Sequence, residues 1–148
     1  MINKEVHVRD VLEIDSKAVW ELRNDPNICA VSRNSEPIPF ANHERWFKTQ
    51  YFSGQNNFCK ILENEGQVIG YCRFDRAEDG FFRVSIVVKP GLQGKGLGSM
   101  LLGEGLKLLG KSGYSAKISK TNEPSLRLFK KFGFQVSGED DKFYFLNL

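Results

Sequence analysis

The sequence predicts an α/β (α+β) fold, a mixed, mostly antiparallel central sheet of about six to seven strands flanked by about four helices. Two features predict it. Strand-like runs at 58–63, 67–75 and 81–88 follow one another across short polar connections, so they pair as an antiparallel meander. Helical periodicity alternates with strands only after residue 88, whereas a doubly wound parallel sheet would alternate throughout. A length of 148 residues, 41% hydrophobic, suits a single domain over 1–148 with one core.

Each element has its own signal. Val6 to Val11 reads as the first strand, and Asp15 or Ser16 stands where a helix N-cap belongs, ahead of Ala18, Val19, Trp20 and Leu22. Asn24-Asp25-Pro26 stops that helix. An irregular stretch with Ser32, Asn34, Ser35, Pro37 and Pro39 precedes a second helix from about Ala41 to Gln50. The meander turns at Asn64-Glu65-Gly66 and Glu78-Asp79-Gly80, and Lys89-Pro90-Gly91 ends its last strand. Leu97, Leu101, Leu102, Leu106 and Leu109 have the helical period, which predicts a helix from Gly94 or Lys95 to Leu109. Ser115 to Ser119 is a short strand. Asn122 to Phe132 is a helix with a Pro in its first turn and Gly133 at its end, and strands at 134–136 and 143–146 flank the polar turn from Gly138 to Asp141.

The formal charge of +3 comes from Lys and Arg spread along the chain, which gives no nucleic-acid footprint and suits a small polyanionic ligand. Cys29, Cys59 and Cys72 are widely spaced and form no CxxC pair, so no metal site is expected and the thiols read as free groups in a reducing cytoplasm. The N-terminus lacks a signal-peptide core and no apolar run is long enough to span a membrane, so a cytoplasmic protein is expected.

The most informative segment is Gln93-Gly94-Lys95-Gly96-Leu97-Gly98-Ser99. Glycines let the backbone approach a ligand, and a helix start leaves amide N–H groups unpaired at the positive end of the dipole. Such donors converge on phosphate oxygens, with Lys95 adding charge at the rim. A Walker loop is excluded because Lys89 and Gly96 stand where its first Gly and its Ser or Thr belong, and a dinucleotide fingerprint fails at Ser99.

These residues resemble the acetyl-CoA signature of the GNAT superfamily of N-acetyltransferases, Q/R-x-x-G-x-G/A, with Gln93, Gly96 and Gly98 at its fixed positions. A second block, 122–134, is similar to the next motif of that family, in which an Asn opens a helix that ends in Gly-Phe. The resemblance implies acetyl-CoA as cofactor. Its pantetheine arm would lie along Ile86, Val87 and Val88 between splayed fourth and fifth strands, and its pyrophosphate on residues 93–99. Asn122, Ser125 and Phe129 would line the same channel.

The implied chemistry is direct attack of a neutral amine on the thioester, with backbone donors near Val87 polarising the carbonyl. Many relatives carry an acidic residue on strand four, but this chain reads Phe82-Arg83-Val84-Ser85 there, with Asp79 only at the preceding turn, so the general base is unassigned. Ser85, Asn122 and Ser125 are the candidate catalytic residues. The usual Tyr acid is replaced by Phe129. Either solvent or another hydroxyl, such as Ser125 or a nearby Tyr, protonates the thiolate, or the acid step is unimportant because a thiol of ordinary pKa leaves readily as its anion, and the last reading is favoured.

Arg23, Asn24, Ser32, His43, Trp46 and Phe47 are the candidate substrate residues. Arg-Asn-Asp-Pro followed by His-x-x-Trp-Phe resembles family members that acetylate a nucleotide-linked amino sugar in pseudaminic acid type glycan synthesis. In that reading Trp46 or Phe47 stacks on the nucleotide and Arg23 or Arg45 meets its phosphates. On an amphipathic helix the two aromatics equally suit a core, and His43 equally suits a cap. Ribosomal-protein N-terminal acetyltransferases share a similar front pattern, and a non-catalytic acyl-CoA-binding module is the alternative outside enzymes. The expected partner is a small-molecule amine, for a monomer or homodimer.

Overall fold

A computed structural model describes residues 6–32 and 36–148 of the chain. The order is β1 (His7–Asp10), a 3₁₀ turn (Glu13–Asp15), α1 (Ser16–Arg23), α2 (Pro26–Cys29), α3 (Phe40–Phe52), β2 (Phe58–Asn64), β3 (Gln67–Arg76), β4 (Phe82–Val88), α4 (Leu97–Leu109), β5 (Tyr114–Ser119), α5 (Glu123–Lys131), β6 (Gln135–Glu139) and β7 (Phe143–Asn147). The strands form one seven-stranded sheet ordered β1-β2-β3-β4-β5-β7-β6. Only the β4–β5 pair is parallel. The mixed, mostly antiparallel sheet expected from the sequence is therefore the one formed.

Two local departures have physical causes. Asn24-Asp25-Pro26 ends α1 as expected but also starts α2: the Asp25 carboxylate accepts from the Asn27 amide at 2.9 Å and Pro26 fills the first helical position. The long helix expected from residue 94 or 95 begins instead at Leu97, because Gly94 and Gly96 have φ of 80° and 81°, which a right-handed helix cannot contain. Asn34 and Ser35, read as part of the front loop, lie outside the described residues.

Alternation along the strands divides the core between two faces. On the front, α1 and α3 cover Cys59, Ile61 and Tyr71 with Val19, Leu22 and Phe47. On the back, Leu97, Leu101 and Leu102 of α4 and Phe129 of α5 cover Cys72, Phe74, Phe82, Val84, Ala116 and Ile118. Gly105 is buried on α4 directly over Phe74, and a Cβ there would stand 2.1 Å from the ring carbon Cε1. The missing side chain is what lets α4 lie flat on β3. Gly105→Ala is expected to lower unfolding free energy by about 1–3 kcal/mol, read as a shift in the urea midpoint at unchanged slope.

Candidate active site

The sheet opens in its middle. β4 and β5 pair only at Phe82↔Tyr114 and Arg83↔Ser115, and beyond Arg83 each strand follows its outer neighbour: β4 stays paired with β3 to Val88 and β5 with β7 to Ser119. Phe82 N–H donates to Gly113 O on the β5 side and Lys89 N–H donates to Ile69 O on the β3 side, so the even-numbered residues of β4 turn their backbone groups toward the gap. Ile86 thus presents N–H and C=O to the opening and Val88 its N–H, while the Val88 carbonyl accepts from Gln93 Nε2 at 3.3 Å. Val87 faces β3 with its backbone and reaches the opening with its side chain, so the backbone donors near Val87 that face the gap are those of its neighbours Ile86 and Val88. Backbone groups left open inside a sheet need water or a ligand.

At the far end of the gap the chain turns into α4. The first bond into the helix runs from Met100 N–H to Gly96 O at 3.2 Å, so the amides of Leu97, Gly98 and Ser99 have no helical acceptor. Gly91, Gly94 and Gly96 all have positive φ, and a Cβ at any of them would meet nothing within 4 Å, so open space lies over this turn. Gly98 has a different task. Its Cβ would stand 2.9 Å from Leu128 Cδ2, so the last motif glycine lets α4 and α5 close together. Lys131 Nζ donates to Ser99 Oγ at 3.1 Å and brings a cation to the helix start. Lys95 is exposed on the turn and outside the cleft wall, because its side chain points to solvent from a backbone held by its glycine neighbours.

One cleft of about 1280 Å³ runs from this turn along the gap to the front helices. Its front wall carries charge. Arg23 and Arg73 both place guanidinium carbons over the Trp46 ring, at 4.5 and 4.9 Å from the centroid. Arg73 Nη1 pairs with Asp75 Oδ2 at 3.3 Å, and Tyr51 O–H donates to Asp75 Oδ1 at 2.7 Å. Arg73 Nε is buried without a hydrogen-bond partner. Burial opposes the charge on Arg73, but Tyr51, Asp75 and Tyr71 outweigh it and raise its pKa. Burial, and then the Arg73 charge, pull the pKa of Arg23 down. Ser85 lies directly across from Arg73 on β4 and lines the same wall.

The profile of the acetyltransferase (GNAT) family matches residues 17–134. The chain belongs to the GNAT family. It is similar to the L-amino acid N-acyltransferase MnaT of Escherichia coli (30% identical, covering 89% of this chain and 81% of that one). It is also similar to the acetyltransferase PseH of Campylobacter jejuni (25% identical, covering 97% and 93%). Its fold matches yncA from Salmonella typhimurium, solved with its cofactor acetyl-CoA, at a TM-score of 0.82 (25% identical, covering 98% and 94%). This GNAT acetyltransferase uses acetyl-CoA, and the open β4 edge and the glycine turn fit that group.

Acetyl-CoA supplies an acyl group already activated as a thioester. The chain's own part is to hold and orient: Ile86 and Val88 amides are the donors available to a chain or carbonyl in the gap, and the amides of residues 97–99 are those available to phosphate. Gln93, Gly94, Gly96, Leu97, Gly98, Ser99, Ile86, Val87, Val88, Asn122, Ser125 and Phe129 all line the cleft. Asn122 is also the cap of α5, accepting from Ser125 N–H at 3.3 Å. Among the front residues, Arg23, Ser32 and Trp46 line the cleft.

Three other front residues are corrected. Asn24 is committed at both ends of its amide to the Ile38 backbone, at 2.8 and 2.9 Å, and ties down the loop. Phe47 is fully buried in the front core. His43 is 1% exposed, among Phe40, Trp46 and Phe47, with no face on the cleft. Arg73, Asp75 and Tyr51 were not singled out from the sequence. The available signal was two charges at alternate positions, Arg73 and Asp75, on one face of an otherwise apolar strand. The cysteines are all buried, and burial raises the pKa of Cys59 and Cys72, so these thiols are inert.

Two outcomes follow from these placements. Phe129 is 2% exposed and packs edge-on against Phe134 at 4.9 Å, and if thiolate departure needs no acid here, Phe129→Tyr changes kcat by less than about fivefold in single-turnover thiol release. A gain of about a hundredfold would mean that an acid was missing. His43 is held at a pKa of about 4, first by burial and then by the Arg23 charge, against 6.5 when exposed. Between those values the unfolded chain binds a proton that the folded chain refuses, so stability falls as pH drops from about 6.5 to about 4. Melting temperatures over that range should fall more steeply for the wild type than for His43→Gln.

Proposed function

We propose that this acetyltransferase acetylates the primary amine of a small anionic acceptor, and that the acceptor is a nucleotide-linked amino sugar. The observation that supports this reading is the Arg23–Trp46–Arg73 wall. Two cations share one indole, Asp75 is the carboxylate paired with Arg73, and Arg73 Nε has no partner. Buried charge of that kind is stable when an anion completes it, and phosphate or carboxylate matches a guanidinium edge. The cleft exceeds the usual volume of a small-ligand pocket, about 300–1,000 Å³, which leaves room for a bulky acceptor beside the coenzyme. The likeness to PseH over nearly the whole chain supports the same reading. Trp46 acts in it as the platform that orients the arginines, since their guanidinium groups occupy its ring.

A free α-amino acid is the second reading. Its carboxylate sits next to its amine, as Arg73 sits directly across from Ser85 on the strand bordering the gap, and the likeness to MnaT favours it. Acetyl-CoA consumption measured against nucleotide-linked amino sugars, free L-amino acids, ribosomal-protein amino-terminal peptides and polyamines separates the readings. Turnover is expected on the nucleotide-linked sugars and none on polyamines. Arg73→Gln should raise the KM of the preferred acceptor about tenfold or more. Activity confined to peptides or polyamines would discard the anionic acceptor altogether.

A further inference from the structure

His43 was expected to meet substrate, yet it is sealed behind the front wall with both ring nitrogens engaged. Nδ1 stands 3.0 Å from Arg23 Nη1, and Nε2 stands 2.9 Å from Ser16 O. A guanidinium nitrogen can only donate and a backbone carbonyl can only accept. One protonation state satisfies both contacts: a neutral imidazole with its lone pair on Nδ1 and its proton on Nε2. The ring is clamped on three sides by Phe40, Trp46 and Phe47 at centroid distances of 6.4, 5.7 and 5.5 Å. Ser16 begins α1 and Arg23 ends it, so the imidazole bridges the first and last residues of one helix.

From this arrangement we infer that His43 is a positioning residue for acceptor recognition: it holds the Arg23 guanidinium over Trp46 and against the cleft. The inference rests on the reading that Arg23 meets an anionic acceptor. Arg23 otherwise ends a helix with a long flexible side chain whose guanidinium rests on the Trp46 ring at 4.5 Å, a contact that supplies no hydrogen bond to set its rotation. A neutral acceptor from behind orients the guanidinium without cancelling its charge, which a carboxylate would do. The remaining donors of Arg23 stay available on the cleft side, beside Arg73. Sequence periodicity gives no hint of this role, because the partner lies 20 residues away on another helix.

Steady-state kinetics with the best anionic acceptor from the panel, on His43→Leu, His43→Gln, Arg23→Leu and the double Leu variant, tests it. His43→Leu is expected to raise acceptor KM about tenfold with a much smaller change in kcat, since a hydrogen bond to a charged group is lost. His43→Gln, whose amide can accept from Arg23 and donate to Ser16, should recover most of that loss. In the Arg23→Leu background His43→Leu should add nothing. An equal effect of His43→Leu with and without Arg23 would overturn the role. Arg23→Leu leaving acceptor KM unchanged would overturn the anionic-acceptor reading itself, whereas an impaired Arg23→Leu beside an unimpaired His43→Leu would overturn only the positioning. Nitrogen-15 spectra of the wild-type ring give a readout that needs no variant to fold: the Nε2–H tautomer supports the role, and an Nδ1–H or charged ring at neutral pH overturns it.

Discussion

The structure depends on a pairing that is started and then abandoned. Two rungs at Phe82–Tyr114 and Arg83–Ser115 join the two halves of the sheet, and after them the strands diverge. The rungs are pinned by chemistry on both faces. On the back, the Phe82 and Tyr114 rings stack at 6.1 Å, and on the front Arg83 Nη1 donates to Ser115 Oγ at 2.7 Å. Past that point β3 and β7 give β4 and β5 separate alignments, and the twist of each half carries them apart. The cost is an unpaired backbone edge in the middle of a sheet. That edge, with the amides at the start of α4, is what the chain offers to a long ligand carrying phosphate at one end.

The front wall is built on the opposite principle. There the chain buries charged side chains instead of exposing backbone. Arg73, Asp75 and Tyr51 satisfy one another in part, and Arg23 is anchored by a neutral ring. Such clusters contribute little to stability, because desolvation offsets their attraction. Well-packed apolar replacements of similar volume are often neutral or stabilising in such places, so stability alone does not account for this cluster. Next to them the catalytic question is narrowed. β4 carries no carboxylate from Phe82 to Val88, and Asp75 on β3 is cross-strand from Arg83.

Local rules carried the sequence reading far where structure is local. The hairpin at Asn64-Glu65-Gly66, the periodicity of α4 and the Asn122 cap each depend on neighbours within a few residues and stand where they were expected, and only the start of α4 moved, from residue 94 or 95 to Leu97. The phosphate-binding turn rested on the same kind of evidence, and acetyl-CoA followed from the resemblance of that turn to the GNAT signature. The front wall was less legible. Which face of α3 meets the cleft depends on how that helix packs on β3, so Trp46 and Phe47, adjacent in sequence, have opposite fates. Which backbone groups near Val87 face the gap was not legible for a similar reason: it depends on the β3–β4 register, which pairs residue 87 with Tyr71. His43 was chosen for its chemistry, and its chemistry is used, but one layer behind the place expected.

The two walls meet at one pair of residues. Ser85 on β4 and Arg73 on β3 lie side by side, with the open edge of Ile86 beginning on one side and the Trp46 platform on the other. A ligand held by Ile86 and one held by Arg73 would therefore be set side by side by a single cross-strand register. Because that register is set by the hydrogen bonds of β3 to β4, a one-residue slip would put Arg73 opposite the wrong residue and turn the open edge away from the gap. Gly70 lets the two strands lie close in this register. A Cβ at that position would stand 2.8 Å from Val87 O, so the two strands approach more closely there than any side chain allows. That glycine, a plain strand residue in the sequence, thus permits the close β3–β4 approach on which the Arg73–Ser85 pairing rests.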